Sequence, residues 1–226
     1  MRKIGRGKGP LGALVGPLAA PLAAFLVSAG AGHAETVIAA LGDSLTQGHG
    51  LPPERGFVPQ LEHWLVDHGA DVRMINSGVS GDTTAGGAAR VGWTLGDEVQ
   101  GLIVALGAND LLRGIAPEVA RQNLEAILDA AEEADVPVLL VGFEAPLNYG
   151  AEYKAAFDAI YPDLAASHDV VYADNFFAGV LDIGASPEAL APYLQADRLH
   201  PNADGVALIV EGLGPKVLEL VTRAED

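Results

Sequence analysis

Four short stretches of this 226-residue chain carry the residue types that nucleophilic catalysis needs. A serine hydroxyl attacks a carbonyl only when a base takes its proton, and the oxyanion that forms needs hydrogen-bond donors. One serine, one histidine with a carboxylate, and two donor groups would together permit acyl transfer. The stretches are Gly42-Asp43-Ser44-Leu45, Ser80-Gly81-Asp82-Thr83, Gly107-Ala108-Asn109-Asp110 and Asp197-Arg198-Leu199-His200-Pro201-Asn202.

Ser44 is the candidate nucleophile. It follows an apolar run, Thr36–Leu41, that predicts a buried strand. Open α/β sheets present their reactive groups at the carboxyl ends of such strands. The alternative is a helix cap, a frequent role for a serine that follows a strand. The stretch is not the Gly-x-Ser-x-Gly elbow, because Thr46 occupies its last position.

Asp197 and His200 are the candidate carboxylate and base. They are three residues apart, so a turn places them on one side, where the carboxylate can orient the imidazole and stabilise its cation. Pro201 restricts His200 to an extended backbone and favours the start of a helix. The alternative is an exposed loop histidine. The other histidines after residue 34 have no comparable setting; they are His49, His63, His68 and His168.

Asn109 and Gly81 are the candidate oxyanion donors. Asn109 follows a predicted strand, and its amide can donate to a developing negative charge. Asparagine is also an ordinary turn residue. Gly81 can offer its N–H without a side chain in the way. This stretch has a structural account as well, because Asp82 or Thr83 could cap the next helix.

The elements that must position these side chains alternate along the chain. Apolar residues recur at spacings of three and four in the segments 118–133, 151–166 and 203–222, which predicts helices packed on a core. Gly214-Pro215 predicts a kink or a division of the last helix. Five short apolar or β-branched runs predict strands: Thr36–Leu41, Val72–Ile75, Leu102–Leu106, Val138–Phe143 and Val170–Tyr172.

This alternation predicts an α/β fold in three layers, α/β/α. We expect a flavodoxin-like, doubly wound parallel sheet of five strands in the order 2-1-3-4-5. The first and third strands are then neighbours at the switch point. The motifs at Ser44 and Asn109, which follow those two strands, lie side by side.

Residues 1–34 are predicted to be a secretory signal peptide, followed by one domain over 35–226. A positively charged start precedes an apolar stretch rich in alanine and glycine, and Gly32-His33-Ala34 forms a small-x-small cleavage site. The alternative is an uncleaved membrane anchor, against which Pro17 and Pro21 count. We expect a periplasmic or secreted bacterial protein with no stable membrane anchor after cleavage.

The composition excludes several kinds of site and partner. The chain has no cysteine, which rules out thiol nucleophiles, disulfides and zinc-thiolate sites. The formal charge is −17, and loss of the four cations in residues 1–34 makes it −21, from −17 minus 4. Such a surface disfavours nucleic acid and anionic membranes. Histidines and carboxylates do not cluster along the sequence, so we expect no metal and no cofactor.

The four motifs together resemble the SGNH-hydrolase (GDSL esterase) superfamily over the span 37–221. The similarity is greatest to the bacterial thioesterase I, lysophospholipase L1 and arylesterase branch, whose segments resemble 144–150 and 159–162. The resemblance implies Ser44 as nucleophile and His200 as base, oriented by Asp197. It also implies an oxyanion hole formed by the N–H groups of Ser44 and Gly81 and the side chain of Asn109.

Two positions depart from the pattern of that superfamily. Ala108 stands where many members have a second glycine, which would stiffen the loop that carries Asn109. Arg198-Leu199 replaces the commoner Gly-Ile between the implied carboxylate and base. Neither change removes a catalytic atom. Because Arg198 adds charge at the rim of the site, we expect it to affect substrate preference rather than catalysis.

The function that follows is a serine esterase working through an acyl-enzyme on aryl esters, acyl thioesters or lysophospholipids. The alternative within the same enzyme class is a carbohydrate O-deacetylase. A non-catalytic binder of lipid or glycan on the same scaffold is the alternative outside it. We expect a monomer whose small acyl ester substrate lies in an apolar groove, unless the groove residues only seal the core. These residues are Leu111, Leu112, Ile115, Leu147 and Tyr149.

Overall fold

The computed structural model describes Gly9 and residues 35–225, so the predicted signal peptide lies outside the described residues apart from Gly9. Five strands are present in this part of the chain: β1 Thr36–Gly42, β2 Val72–Gly78, β3 Gly101–Ala105, β4 Val138–Val141 and β5 Val171–Ala173. They form one parallel sheet in the order β2-β1-β3-β4-β5. The predicted fold class and strand order are confirmed.

Ten α-helices lie between and after the strands within residues 35–225, together with short 3-10 helices at Pro53–Arg55, Leu147–Tyr149 and Ala191–Tyr193. None of the helices in this part of the chain is both long enough and apolar enough to cross a membrane. The α-helices are α1 Ser44–Gln47, α2 Phe57–Asp67, α3 Thr84–Thr94, α4 Ala108–Arg113, α5 Pro117–Glu133, α6 Ala151–Asp158, α7 Ile160–Ser167, α8 Ala178–Leu181, α9 Pro187–Leu190 and α10 Ala203–Glu225.

The helices cover both faces of the sheet. α2 and α10 pack against each other on one face, and α3 and α5 pack against each other on the other. β1 lies in the interior of the sheet and is buried along its whole length. A strand covered on both faces has no polar side to present, which is why its sequence is a continuous apolar run.

The segment 151–166 forms two helices rather than the single helix that its spacing predicts. α6 and α7 meet at Ala159. Pro162 lies in the first turn of α7 and has no N–H, so it cannot bond to the carbonyl of Asp158, four residues earlier. The proline therefore permits a new helix to begin but not the previous helix to continue.

Gly214-Pro215 does not divide the last helix, which was one of the two predicted outcomes. α10 continues through Pro215 to Glu225. Pro215 and Glu211, the residue whose carbonyl loses its helical donor, are both exposed. Water can therefore bind the free carbonyl, and the cost of the proline is reduced.

The carboxyl ends of the three strands nearest the switch point lie at one edge of the sheet. Gly42 at the end of β1 pairs with Gly78 on one side and with Ala105 on the other. The loops that follow these strands therefore begin next to one another. This edge positions the segments that contain Ser44, Gly81 and Asn109.

Candidate active site

Ser44 is the first residue of α1, directly after β1. The cap of this short helix is Asp43, whose carboxylate accepts the Leu45 N–H at 2.9 Å. The Ser44 hydroxyl is thus not used as a cap, which was the alternative that the sequence left open. A side chain at Gly42 would collide with the Thr46 hydroxyl. The turn from strand to helix therefore needs glycine before the Asp-Ser pair.

The structure brings Ser44, His200 and Asp197 into one chain of hydrogen bonds. Ser44 Oγ lies 2.9 Å from His200 Nε2, and His200 Nδ1 lies 2.7 Å from Asp197 Oδ2. The Asp197 carboxylate can only accept, so Nδ1 carries the proton and Nε2 is left to accept the Ser44 hydroxyl proton. This is the geometry in which a base can activate a serine.

Asp197 is held within its own loop. Its Oδ1 atom accepts the N–H of Leu199 at 2.9 Å and the N–H of His200 at 3.1 Å. The hydrogen bond from the His200 side chain, followed by these two backbone bonds, holds the pKa of Asp197 well below its usual range. Because its pKa is lowered, the Asp197 carboxylate is ionised at neutral pH and can stabilise an imidazolium cation. Arg198, which lies between Asp197 and His200 in the sequence, has a left-handed backbone with φ +58°.

Gly81 lies in a tight turn, where Asp82 N–H donates to Val79 O at 3.0 Å. Gly81 has φ +82°, a left-handed conformation that a turn of this kind takes most easily with glycine. Within residues 35–225, neither the Gly81 N–H nor the Ser44 N–H has an acceptor. Two backbone donors are thus free for an external oxygen.

Asn109 lies in the first turn of α4, and its Nδ2 donates to Asp43 Oδ2 at 2.9 Å. An amide NH₂ has two protons, so one remains for an external acceptor. Asp43 is 1% exposed. Burial raises the pKa of Asp43 to about 6, opposed by hydrogen bonds from Leu45 and Asn109 and by the charge of His200. Asp43 is absent from the predicted site residues, although it orients one of them.

Ser44 and His200 open on a cavity of about 1010 Å³. Of the predicted groove residues, Leu111, Leu112, Leu147 and Tyr149 all contribute to its wall. Ile115 does not, which corrects the prediction. The chain turns at the left-handed Gly114, and the Ile115 carbonyl accepts the Tyr153 hydroxyl at 2.8 Å.

Further apolar residues that the sequence did not mark contribute to this wall. They come from the loop after β4 and from the segment between β5 and α10, whose helices α8 and α9 are too short to show a helical periodicity. They are Phe143, Phe177, Val180, Leu181, Leu190 and Leu194.

His49 also lies at the site, contrary to the expectation that no other histidine has a comparable setting. Its ring centroid is 4.6 Å from that of His200, and it lines the same cavity. The Gln195 side chain donates to the His49 carbonyl at 2.7 Å and so ties the loop after α1 to the loop that carries the base. His49 and His200 lie far apart in the sequence, so no spacing pattern predicts that their rings meet.

One group of potential metal ligands occurs within residues 35–225. Ligand atoms of Asp129, Glu132 and His168 lie within 4.8 Å of one another. The expectation that histidines and carboxylates do not cluster is wrong at this place, because α5 and the end of α7 meet only in the folded chain. Both carboxylates are exposed, and none of the three residues lines the cavity.

The chain is similar to known proteins over most of its length. Residues 40–208 match the GDSL-like Lipase/Acylhydrolase family. An arylesterase of Vibrio mimicus is 33% identical over 199 residues, which are 88% of this chain and 96% of the relative. Thioesterase 1/protease 1/lysophospholipase L1 of Escherichia coli strain K12 is 32% identical over 185 residues, 81% of this chain and 84% of the relative.

A solved structure is similar to this chain in both fold and sequence. The crystal structure of AlinE4, an SGNH-hydrolase family esterase, has a TM-score of 0.67 and 41% sequence identity. The match covers 82% of this chain and 96% of that one. The resemblance to the SGNH-hydrolase superfamily is therefore confirmed. The chain belongs to the GDSL-like lipase/acylhydrolase family and is a hydrolase that acts on ester bonds.

Proposed function

We propose that this protein hydrolyses carboxylic acyl esters through Ser44 and a covalent acyl-enzyme. The observation that carries the proposal is the hydrogen-bond chain from Ser44 through His200 to Asp197 at the wall of an apolar cavity. A serine, an imidazole and an ionised carboxylate in this order form a nucleophile, its base and the group that orients the base.

In the first step, Ser44 Oγ attacks the carbonyl carbon of the ester while its proton moves to His200 Nε2. The carbonyl π electrons move to oxygen, and the resulting anion accepts hydrogen bonds from the N–H groups of Ser44 and Gly81 and from the Asn109 amide. Asp197 stabilises the imidazolium. The bond to the leaving alcohol or thiol then breaks, and the leaving group takes the proton from His200.

In the second step, water replaces the leaving group. His200 Nε2 takes a proton from the water as its oxygen attacks the acyl carbon, and the same donors hold the second oxyanion. Collapse of this intermediate breaks the bond to Ser44, whose oxygen recovers the proton from His200. The products are a carboxylic acid and the free enzyme, and no cofactor is needed for the proton balance.

The apolar wall favours substrates with an acyl chain or an aromatic ring: aryl esters, acyl thioesters or lysophospholipids. A buried apolar chain gains roughly 0.8 kcal/mol for each methylene group. Two relatives are named arylesterase and thioesterase/lysophospholipase, which agrees with this class. An acetylated sugar would place polar hydroxyl groups against Leu111 and Leu147, so O-deacetylase activity should be the weaker one.

We also propose that residues 1–34 direct secretion and are removed, leaving a monomer in the periplasm or outside the cell. The positively charged start, the apolar stretch and the small-x-small site support this proposal. Mass spectrometry of the protein recovered from cell fractions tests it. A mature chain that begins at Glu35 is the expected result, and retention of Arg2 to Ala34 would contradict it.

The catalytic proposal is tested by Ser44→Ala in the mature protein, with p-nitrophenyl esters of increasing acyl length and acetylated sugars as substrates. Loss of the nucleophile should lower kcat by a factor of roughly 10⁴ or more. Ser167→Ala is the matched control, because this serine is exposed and its hydroxyl donates to the Leu164 carbonyl on α7. A fluorophosphonate should modify the wild type at Ser44 and leave the Ser44→Ala variant unmodified.

Two results would contradict the catalytic proposal. One is a Ser44→Ala variant that keeps a rate near that of the wild type after purification. The other is a wild-type protein that binds lipid or glycan but neither hydrolyses any ester nor reacts with the fluorophosphonate, which would identify a binding protein.

A further inference from the structure

Arg90 on α3 makes three hydrogen bonds that join separate segments behind the active site. Its Nη2 donates to the Gly42 carbonyl at 2.8 Å, and its Nη1 donates to the Ser77 carbonyl at 2.7 Å. Its Nε donates to Asp82 Oδ2 at 2.6 Å. Within residues 35–225, Arg90 is not part of the cavity wall. The guanidinium therefore contacts the framework of the site and not the space for substrate.

Each acceptor of Arg90 is close in sequence to a group that would contact the oxyanion. Gly42 lies two residues before Ser44, at the end of β1. Asp82 directly follows Gly81. The Gly42 carbonyl also accepts the Val79 N–H at 3.0 Å, at the start of the turn that contains Gly81. The two backbone donors thus belong to segments that Arg90 connects to each other.

Arginine suits this position because its guanidinium is planar and donates in three fixed directions at once. The side chains of Arg90 and Asp82 are only 22% and 17% exposed. Hydrogen bonds from a charged donor are strong when both partners are withdrawn from water. A lysine ammonium has no fixed fork, and it cannot hold all three acceptors in the same plane.

We infer that Arg90 is a positioning residue for the oxyanion hole. It fixes the N–H groups of Ser44 and Gly81 relative to each other, and so keeps both donors pointed at the same external oxygen. The inference rests on the proposed function, because it assigns those two N–H groups to the oxyanion. Arg90 touches no reacting atom and acts only through the segments that it joins.

Loss of Arg90 should lower kcat and leave KM nearly unchanged. The apolar residues of the cavity wall are not bonded to Arg90 and should keep their positions, so binding of the acyl chain is preserved. The donors lose their common alignment, and small displacements of groups that stabilise a transition state cost roughly ten- to a hundredfold in rate. A merely structural role would lower the melting temperature without separating kcat from KM.

The experiment compares Arg90→Ala with Arg121→Ala in the mature enzyme on p-nitrophenyl esters. Arg121 on α5 is a matched control, because it donates to the Asp163 carboxylate at 2.7 Å and to the Ala159 carbonyl at 3.4 Å, outside the cavity wall. We expect kcat to fall roughly ten- to a hundredfold in Arg90→Ala alone. Added millimolar guanidinium ion should restore part of that kcat and leave Arg121→Ala unaffected.

Several results would overturn the inference. They are a kcat for Arg90→Ala equal to that of Arg121→Ala, a change confined to KM, or a kcat loss that guanidinium does not reverse at all. Should Arg90→Ala fail to fold, Arg90→Lys decides, with a lowered kcat at unchanged KM supporting the inference and a wild-type kcat overturning it. Failure of the proposed function is separate, because it would appear as full activity in Ser44→Ala.

Discussion

The two halves of the candidate site are held in different ways. The half that offers oxyanion donors is supported from behind by groups that are largely buried, Asp43 and Arg90, which contact segments far apart in the sequence. The half that offers the base lies on the loop 195–200. There Asp197 is 43% exposed and is held by hydrogen bonds within the same loop.

This difference predicts two kinds of sensitivity. The donor half depends on buried charges, so its stability should vary with pH and should respond to substitutions outside the cavity. The base half depends on direct contact between Asp197 and His200, so its function should be lost when that contact changes. A change of backbone conformation in this loop that keeps the contact should have a smaller effect. The predictions that follow test each half, beginning with the largest effect.

Asp197→Asn should lower kcat by a factor of about 10⁴. The neutral amide cannot stabilise the imidazolium, and it can hold His200 in the wrong tautomer. Hydrolysis of p-nitrophenyl esters by the purified variant measures the loss. Asp204→Asn, seven residues later, is the control for the same chemical change at an exposed ion pair with Arg55. If Asp197→Asn lowered kcat no more than Asp204→Asn does, the base half would not work through the contact between Asp197 and His200.

Asn109→Ala should lower kcat by about a hundred- to a thousandfold, because one of three oxyanion donors is lost. Asn148→Ala removes another asparagine from the wall of the same cavity and should have little effect on kcat. Unlike this control, Asn109→Ala also removes the hydrogen bond that lowers the pKa of Asp43, so the pKa of Asp43 should rise further. Equal rates for the two variants would remove Asn109 from the oxyanion hole.

Asp43→Asn should change how the free energy of unfolding depends on pH, because it removes the buried carboxyl group of the donor half. Burial raises the pKa of Asp43 to about 6 from the ordinary 3.8. Between these values the native state keeps a proton that the unfolded chain has released, so wild-type stability falls as pH rises through this window. Asparagine still caps α1 but does not titrate. The free energy of unfolding of the variant relative to the wild type should therefore increase by about 2 to 3 kcal/mol from pH 4 to pH 7.

Urea unfolding of both proteins at several pH values measures this effect. At each pH the free energy of unfolding of the wild type is subtracted from that of the variant, and these differences are compared between pH values. Any cost of the substitution that does not depend on pH therefore cancels. A difference that stays the same from pH 4 to pH 7 would mean that Asp43 does not hold its proton in the folded state. The donor half would then have no buried titrating charge.

The sequence predicts the parts of the site that depend on nearby residues. Ser44, Gly81 and Asn109 each follow a strand, and the carboxyl ends of parallel strands share an edge. Asp197 and His200 are three residues apart and need only a turn. The supporting contacts are different, because they join Asn109 to Asp43 over 66 residues and Arg90 to Gly42 over 48. Such pairs have no spacing pattern, and only the folded chain brings them together.

The smallest expected effect is that of Arg198→Gly, which tests the backbone of the base half. Arg198 has φ +58°, and a residue with a Cβ pays roughly 1 to 2 kcal/mol in this conformation. Glycine avoids that cost but loses more chain entropy on folding, which offsets about 0.4 to 1 kcal/mol. We therefore expect a gain of about 0.5 to 1 kcal/mol in the free energy of unfolding, with kcat on neutral esters unchanged.

Asp135→Gly is the matched control, because Asp135 also has φ +58° and lies after α5. Aspartate tolerates the left-handed region better than arginine, so its replacement should give a smaller gain. Urea unfolding of both variants at one pH measures the difference. A loss of stability in Arg198→Gly alone would mean that the arginine side chain stabilises the loop by more than its backbone conformation costs. The base half would then depend on a side-chain contact as well as on its own backbone hydrogen bonds.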